Sequence, residues 1–214
     1  MPGFLKTWRL AGRTTLLTAL ALLCCTCSGG GTTDISRDYP PGTPRQPDRL
    51  SLTNPDETDQ LLWWHDNILS LVPEAVYPDT KTAQQAGRFI EETNRKRAEA
   101  GLPALQTLPS LNRVAQAHAM DQAIRDYWNH RTPEDLGSRE RIAAAGAGTV
   151  LVGGENSSVA RPGASTVDLV VENFSIHPGH RELLYNTAVE YIGVGIYNYS
   201  PDEHVHYVQL LVSF

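Results

Sequence analysis

The sequence predicts an α+β domain built in layers, preceded by an N-terminal segment of different composition. Between residues 81 and 214, stretches with helical periodicity alternate with short runs of β-branched and aromatic residues. Helices that come first, with strands between and after them, favour a mixed layered domain over a doubly wound parallel sheet. Hydrophobic residues make up 41% of the chain, and this share is enough to form a packed core.

The charge of the chain argues against a role in binding nucleic acid. The formal net charge is −6, and residues 28–214 carry 15 basic and 24 acidic residues, a net charge of −9. A nucleic-acid-binding surface needs clustered lysines and arginines to neutralise phosphates. We therefore expect partners of other kinds.

Residues 1–27 have the composition of an export signal. Three basic residues precede an apolar run of ten residues, which is about half the ~20 that a membrane-spanning helix needs. All three cysteines of the chain follow at once, at positions 24, 25 and 27. This arrangement resembles a bacterial lipoprotein signal, with Cys25 as the first candidate for lipidation and Cys27 as the second. An ordinary signal peptide of a secreted protein is the alternative.

Two further segments separate this signal from the main domain. Residues 28–56 contain nine glycines and prolines and predict a flexible tether of roughly 30 Å. Residues 57–80 contain an extra N-terminal helix, because Leu61, Trp64, Ile68 and Leu71 recur at helical spacing before Pro73. We expect this helix to pack on the main domain, residues 81–214.

The sequence of the main domain predicts four helices and three strands. The first helix ends at Gly101, the second runs from Pro109 to about Trp128, the third from Ser138 to Gly146, and the fourth starts at a capping box at 165–168. The predicted strands are 149–152, 191–197 and 205–212. His118 faces inward on the second helix and is predicted to be core, whereas His204 and His206, near a turn, are predicted to be exposed.

Five short motifs in order resemble the CAP superfamily, also called the SCP domain, in its bacterial secreted branch. Each motif is weak alone, and their order and their helix and strand context make the resemblance specific. The motifs are Asn94–Arg97 with Gly101–Leu105, Asn129–His130, Gly154–Asn156, Pro178–Arg181 and Gly193–Gly195. The resemblance implies a three-layer α-β-α sandwich with a mixed central sheet and a cleft lined by His130, Glu155 and His180.

The chemistry of these residues supports a metal or proton-transfer site as one hypothesis. Each is expected at the end of an element, where functional side chains are often placed. Imidazoles bind metals and titrate near neutral pH. His177 stands where relatives often have Glu or Ser, so that His130, His177, His180 and Glu155 form a candidate zinc ligand set. The other interpretation is that His177 points to solvent.

Two functions of different classes follow. The first is an extracytoplasmic, lipid-anchored binding module that recognises a lipid, glycan or protein through the His/Glu cleft. The second is a zinc-dependent hydrolase in which Zn²⁺ is held by the histidines, with Glu155, His130 and His180 as the candidate catalytic residues. The motifs of common serine hydrolases and nucleotide-binding loops do not occur in the sequence, which favours the binding module.

Overall fold

The computed structural model describes residues 23–24, 60–161, 163–200 and 203–214. Apart from a two-residue strand at 23–24, the predicted signal peptide and tether lie outside the described residues, and so do Cys25 and Cys27. The helices are α1 (Gln60–Asn67), α2 (Thr80–Glu99), α3 (Pro109–Arg125), α4 (Ser138–Ala144), α5 (Val167–Ile176) and α6 (Pro178–Leu184), with a 3-10 turn at Leu69–Leu71 after α1. The strands are β1 (Leu23–Cys24), β2 (Gln106–Thr107), β3 (Val152–Ala160), β4 (Tyr191–Tyr197) and β5 (Val205–Ser213).

The strands form one mixed sheet in the order β1-β3-β5-β4-β2. The pairs β3–β5, β5–β4 and β1–β3 are antiparallel, and β2 pairs with β4 in parallel. In the central pairing, Glu155 lies opposite Leu210 and Asn156 lies opposite Gln209. Since side chains alternate along a strand, Glu155 and Asn156 point to opposite faces of the sheet.

Helices cover both faces of this sheet, each over its own buried hydrophobic cluster. One cluster joins α1, α3 and α4 to Val208, Leu210 and Val212 of β5. The other joins α2, α5 and α6 to the opposite face of β4 and β5, including Ile192 and Leu211. The predicted three-layer α-β-α sandwich is therefore confirmed, and the residues predicted to face inward on α5 are all buried: Val167, Val170, Val171 and Phe174.

Helix α3 lies directly on β4 because two glycines remove the side chains between them. A Cβ on Gly193 would lie 2.4 Å from the carbonyl carbon of Leu111, and one on Gly195 would lie 2.2 Å from the carbonyl oxygen of Ala115. These distances are far below a van der Waals contact. The Gly193–Gly195 motif is thus a packing motif, since only glycine allows the helix and strand backbones to approach this closely.

Side chains from α3 and from the segment before α2 satisfy the backbone groups on the outer edge of β4. Beyond the short pairing with β2, Asn112 Oδ1 accepts from the Val194 amide at 2.9 Å. Gln116 bonds both the amide (2.9 Å) and the carbonyl (3.1 Å) of Ile196. Tyr77 adds a hydroxyl that donates to the Val194 carbonyl at 2.8 Å. One turn of helix separates Asn112 from Gln116, so both reach the same strand edge.

Helix α1 is docked on the α3 face of the domain. Trp64 is fully buried, and it packs with Ile68, Leu69 and Val72 in the same cluster as α3 and α4. The helix is shorter than its periodicity predicts, because the regular part ends at Asn67 and a 3-10 turn continues to Leu71. The described helices include none that is both long and apolar enough to cross a bilayer.

Three sequence-based expectations about elements are wrong. The strand predicted at 149–152 lies at Val152–Ala160, so Glu155 is inside a strand rather than after one. His180, expected just after the end of the fourth helix, lies within a further helix, α6 (Pro178–Leu184). The second helix ends at Arg125, where Asp126 takes a left-handed conformation (φ 59°), three residues before the predicted end at Trp128.

Candidate functional site

The structure brings His130 and Glu155 together. Glu155 projects from β3 toward α3, and His130 lies on the loop 126–137 between α3 and α4. His130 Nδ1 and Glu155 Oε1 are 2.9 Å apart. The Glu155 side chain is 2% exposed and that of His130 is 24% exposed, so the histidine is the member of the pair that solvent reaches.

The second carboxylate oxygen of Glu155 is held by Arg141 of α4. Both side chains are buried, and Arg141 Nη2 bonds Glu155 Oε2. Burial alone would raise the pKa of Glu155, but the charge of Arg141, together with His118 and His130, lowers that pKa well below its usual range. Glu155 is therefore ionised, and His130 Nδ1 donates its proton to the carboxylate.

Arg141 also fixes the loop that carries His130. Its Nη1 donates to the backbone carbonyls of His130 at 2.9 Å and of Leu136 at 2.7 Å. A single buried guanidinium thus orients both the carboxylate and the backbone of its histidine partner. Arg141 is a positioning residue for the pair.

A second histidine, His118 of α3, lies near the same carboxylate and is fully buried. Its Nε2 lies 3.5 Å from Glu155 Oε1 and 3.0 Å from the carbonyl of Asn129. Desolvation lowers the pKa of this fully buried imidazole, and the nearby Arg141 charge lowers it further. His118 is therefore neutral at pH 7, and the prediction that it is a core residue is confirmed.

A layer of buried polar groups continues from His118 toward β5. Gln122 donates to the Asn129 carbonyl at 3.0 Å and accepts from His206 Nδ1 at 3.1 Å. The expectation that His206 is exposed is wrong, because β5 turns this side chain toward α3. Trp128 also belongs to this layer, because its indole donates a 3.3 Å hydrogen bond to the hydroxyl of Ser157.

His180 lies in the layer on the other face of the sheet. Its buried ring packs edge-on against Phe174 at 4.8 Å between centroids, and its carbonyl accepts from Asn156 at 3.3 Å. The ring of His177, which ends α5, is 6.4 Å from the ring of His180. The described contacts thus join His130 to Glu155 on the α3 face, and they join His180 to Phe174 and His177 in the α5–α6 layer.

The contacts of Glu155 weigh against a role as a zinc ligand. Both oxygens of Glu155 already have partners, and one partner is a permanent cation, whose charge opposes a second cation nearby. Across the described residues, no three His, Cys, Asp or Glu side chains are placed to hold one metal ion.

Sequence reasoning missed the residues that organise the pair. Arg141 stands in the run Arg139–Ile142, where charged residues on a short helix resemble an ordinary solvated face. Gln122 and Asp121 lie next to apolar residues on α3, and a polar residue on an inward helical face was the available signal that a buried network exists.

Comparison with known proteins agrees with the fold and the motif order. Residues 90–211 match the cysteine-rich secretory protein family, CAP. This chain belongs to the CAP family. The match covers more than half of the chain and includes His130, Glu155 and His180, whereas α1 precedes it.

Individual relatives come from several bacteria. The uncharacterized protein YkwD of Bacillus subtilis is 31% identical over 108 residues, which are 50% of this chain and 40% of YkwD. An extracellular SCP-domain protein from Bacillus anthracis has a TM-score of 0.53 at 24% identity, covering 62% of this chain and 41% of that structure. An outer surface protein from Borrelia burgdorferi has the same TM-score at 20% identity, covering 62% of this chain and 94% of that structure. These two likenesses concern the fold alone.

Proposed function

We propose that this CAP domain is an extracytoplasmic binding module that presents His130 to a ligand. The observation that carries the proposal is the complete engagement of Glu155 by Arg141, His118 and His130. A carboxylate that acts as a general base needs an oxygen within hydrogen-bonding distance of the substrate proton that it removes. Here the carboxylate instead sets the orientation of the partly exposed histidine and the position of its Nδ1 proton.

The tautomer indicates the chemistry of the ligand. With Nδ1–H bonded to Glu155, Nε2 of His130 accepts a hydrogen bond when the imidazole is neutral and donates one when it is protonated, and a hydroxyl group suits either form. Glycans carry many such hydroxyl groups, so they are the first ligand class to test, with protein and lipid as the other outcomes.

The binding experiment compares three proteins on a glycan array. We expect binding by the wild-type chain, loss of binding with His130→Ala, and unchanged binding with His65→Ala. His65 is an exposed histidine on α1 and is the matched control. Equal binding by the His130→Ala variant would contradict the proposal.

The location rests on the sequence of residues 1–27 and on relatives described as extracellular or outer-surface proteins. We infer a membrane anchor through a lipid on Cys25 or Cys27, with simple secretion as the alternative. The double variant Cys25→Ala/Cys27→Ala should move the protein from the membrane fraction to the soluble fraction. Retention on the membrane would contradict lipidation.

The zinc-dependent hydrolase remains the competing hypothesis and has its own test. If His130, His177, His180 and Glu155 bound Zn²⁺, added zinc would raise the melting temperature of metal-free protein, and His130→Ala or His180→Ala would reduce that rise. The binding-module proposal expects no rise that depends on these residues. Zinc content after purification, measured before and after chelation, provides an independent reading.

A further inference from the structure

We propose that α1, although it precedes the family-matched residues, is a working part of the His130 site. By docking on Asp121 and Arg125 of α3, it holds the loop 126–137, and with it His130, in the binding geometry. The proposal deepens the proposed function and rests on it for the importance of His130. The structural coupling itself is measurable without any ligand.

The first contact in this coupling is between α1 and the end of α3. The indole of the buried Trp64 donates to Asp121 Oδ2 at 3.2 Å. The neighbouring Trp63 ring lies 5.1 Å from the guanidinium carbon of Arg125, a cation–π distance. Two consecutive residues of α1 therefore contact two charged residues one helical turn apart.

The same two residues hold the loop on their other side. Arg125 Nη2 bonds Asp121 at 2.7 Å and Glu134, which is in the loop, at 3.0 Å. Tyr127 at the start of the loop donates to Asp121 Oδ2 at 2.6 Å. Asp121 Oδ2 thus accepts from α1 and from the loop at once.

The exclusion of water gives these contacts their strength. The side chains of Asp121, Arg125 and Glu134 are at most 6% exposed. Burial would lower the pKa of Arg125, but its two carboxylate partners raise it above its usual value. Charge pairs weaken as the local dielectric rises, so removal of Trp63 and Trp64 would admit water and loosen Glu134.

The loop is attached on several sides, and α1 supports the attachment through Glu134. Arg125 holds Glu134 on the side of α1, and Arg141 holds the carbonyls of His130 and Leu136 on the side of Glu155. With the Arg125–Glu134 attachment loosened, residues 126–137 would keep their bonds to Arg141, Gln122 and Ser157 but would be held less firmly on the side of α1. The orientation of His130 would then vary.

Amide hydrogen exchange on the full chain tests the proposal. Trp64→Phe removes the indole donor and makes the buried ring smaller, and Trp64→Ala removes the ring altogether. Leu62→Ala is the matched control, because Leu62 is on the same helix and is 52% exposed. We expect exchange of the amides in 126–137 to rise about tenfold with Trp64→Phe and more with Trp64→Ala. Exchange in β4 and β5 should be unchanged, and Leu62→Ala should match the wild type.

Faster exchange in α1 with unchanged exchange in 126–137 would overturn the proposal. If Trp64→Ala unfolds the whole domain, Trp64→Phe decides, and unchanged loop exchange in that variant would also overturn it. Failure of the wild-type chain to bind any glycan would contradict the proposed function and leave this measurement intact. The two ideas can therefore fail separately.

Discussion

At the scale of single residues, the loss of the buried Arg141–Glu155 pair should cost much of the stability of the domain. Arg141→Met would leave an ionised carboxylate buried with only histidine partners. Removing one partner of a buried ion pair lowers the free energy of unfolding by about 3–5 kcal/mol. We expect the free energy of unfolding in urea to fall by that amount.

Two further variants identify the cause of that loss. Arg139→Met, on the exposed side of the same helix, should change stability by less than about 0.5 kcal/mol. Adding Glu155→Gln to Arg141→Met should restore part of the loss, because the unpaired charge is gone. An equal loss in the single and double variants would mean that packing, not charge, explains the effect.

The buried His118 makes stability depend on pH below neutrality. Its pKa is lowered in the folded state, so between the unfolded value of about 6.5 and the folded value only the unfolded chain binds this proton. Stability is then fully present above about pH 6.5 and decreases as the pH falls, by up to about 1.4 kcal/mol per pH unit.

Melting temperatures between pH 7.5 and 5 measure this dependence. His118→Gln should flatten the profile, whereas His65→Gln, at an exposed position, should leave it unchanged. A second decrease is expected in stronger acid, because the lowered pKa of Glu155 stabilises the fold only while the carboxylate stays ionised. An unchanged slope in the His118→Gln variant would contradict the assignment to His118.

The family resemblance led us to expect His130 near Glu155, whereas nothing in the sequence indicated the groups around the pair. The two positions carry recognisable short motifs, and the structure places their side chains 2.9 Å apart. Arg141 and Asp121 have no such motif, because a charged residue on a helix is ordinarily solvated. Only the packing of α4 and α1 against α3 reveals that these charges are buried.

At the scale of elements, the close approach of α3 and β4 depends on Gly195. A Cβ there would lie 2.2 Å from the carbonyl oxygen of Ala115, so α3 would have to move away from the sheet. We expect Gly195→Ala to reduce the free energy of unfolding by about 1–3 kcal/mol or more. Thermal or urea unfolding measures the change.

Gly87 supplies the control for this substitution. It lies on α2 with open space where a methyl group would be, so Gly87→Ala adds that group without a collision. Alanine is preferred over glycine within a helix, and we expect a gain of about 0.5–1 kcal/mol. Similar effects of the two substitutions would argue against the packing explanation.

The errors in element placement have physical causes. The apolar residues at 149–152 give a stronger strand signal than the polar β3 sequence, whose Asn156 and Ser157 are buried because Gln209 and Trp128 bond them. Tertiary partners therefore override local strand preference there. For α6, the Pro178-Gly179 pair is typical of a loop, although proline is also favoured at the first turn of a helix, where it occurs here.

At the scale of the whole molecule, the stable unit is expected to begin at α1. Helix α1 and its following turn bury Trp64, Ile68, Leu69 and Val72 against the domain. Each buried side chain of this size contributes about 1.5–3 kcal/mol, so their loss costs several kcal/mol. We expect residues 80–214 to melt about 10 °C or more below residues 60–214. Equal melting temperatures would show that α1 adds nothing to the fold.

The side-chain hydrogen bonds along the outer edge of β4 affect whether neighbouring copies of the protein can associate when they are crowded together. Open strand edges let neighbouring copies join into continuous sheets, which is a common start of aggregation. Here the outward backbone groups of Val194 and Ile196 are already bonded by Asn112, Gln116 and Tyr77. Copies packed side by side at high density on a surface would meet occupied hydrogen-bonding groups at this edge. Such a protein can be displayed densely without polymerising through β4.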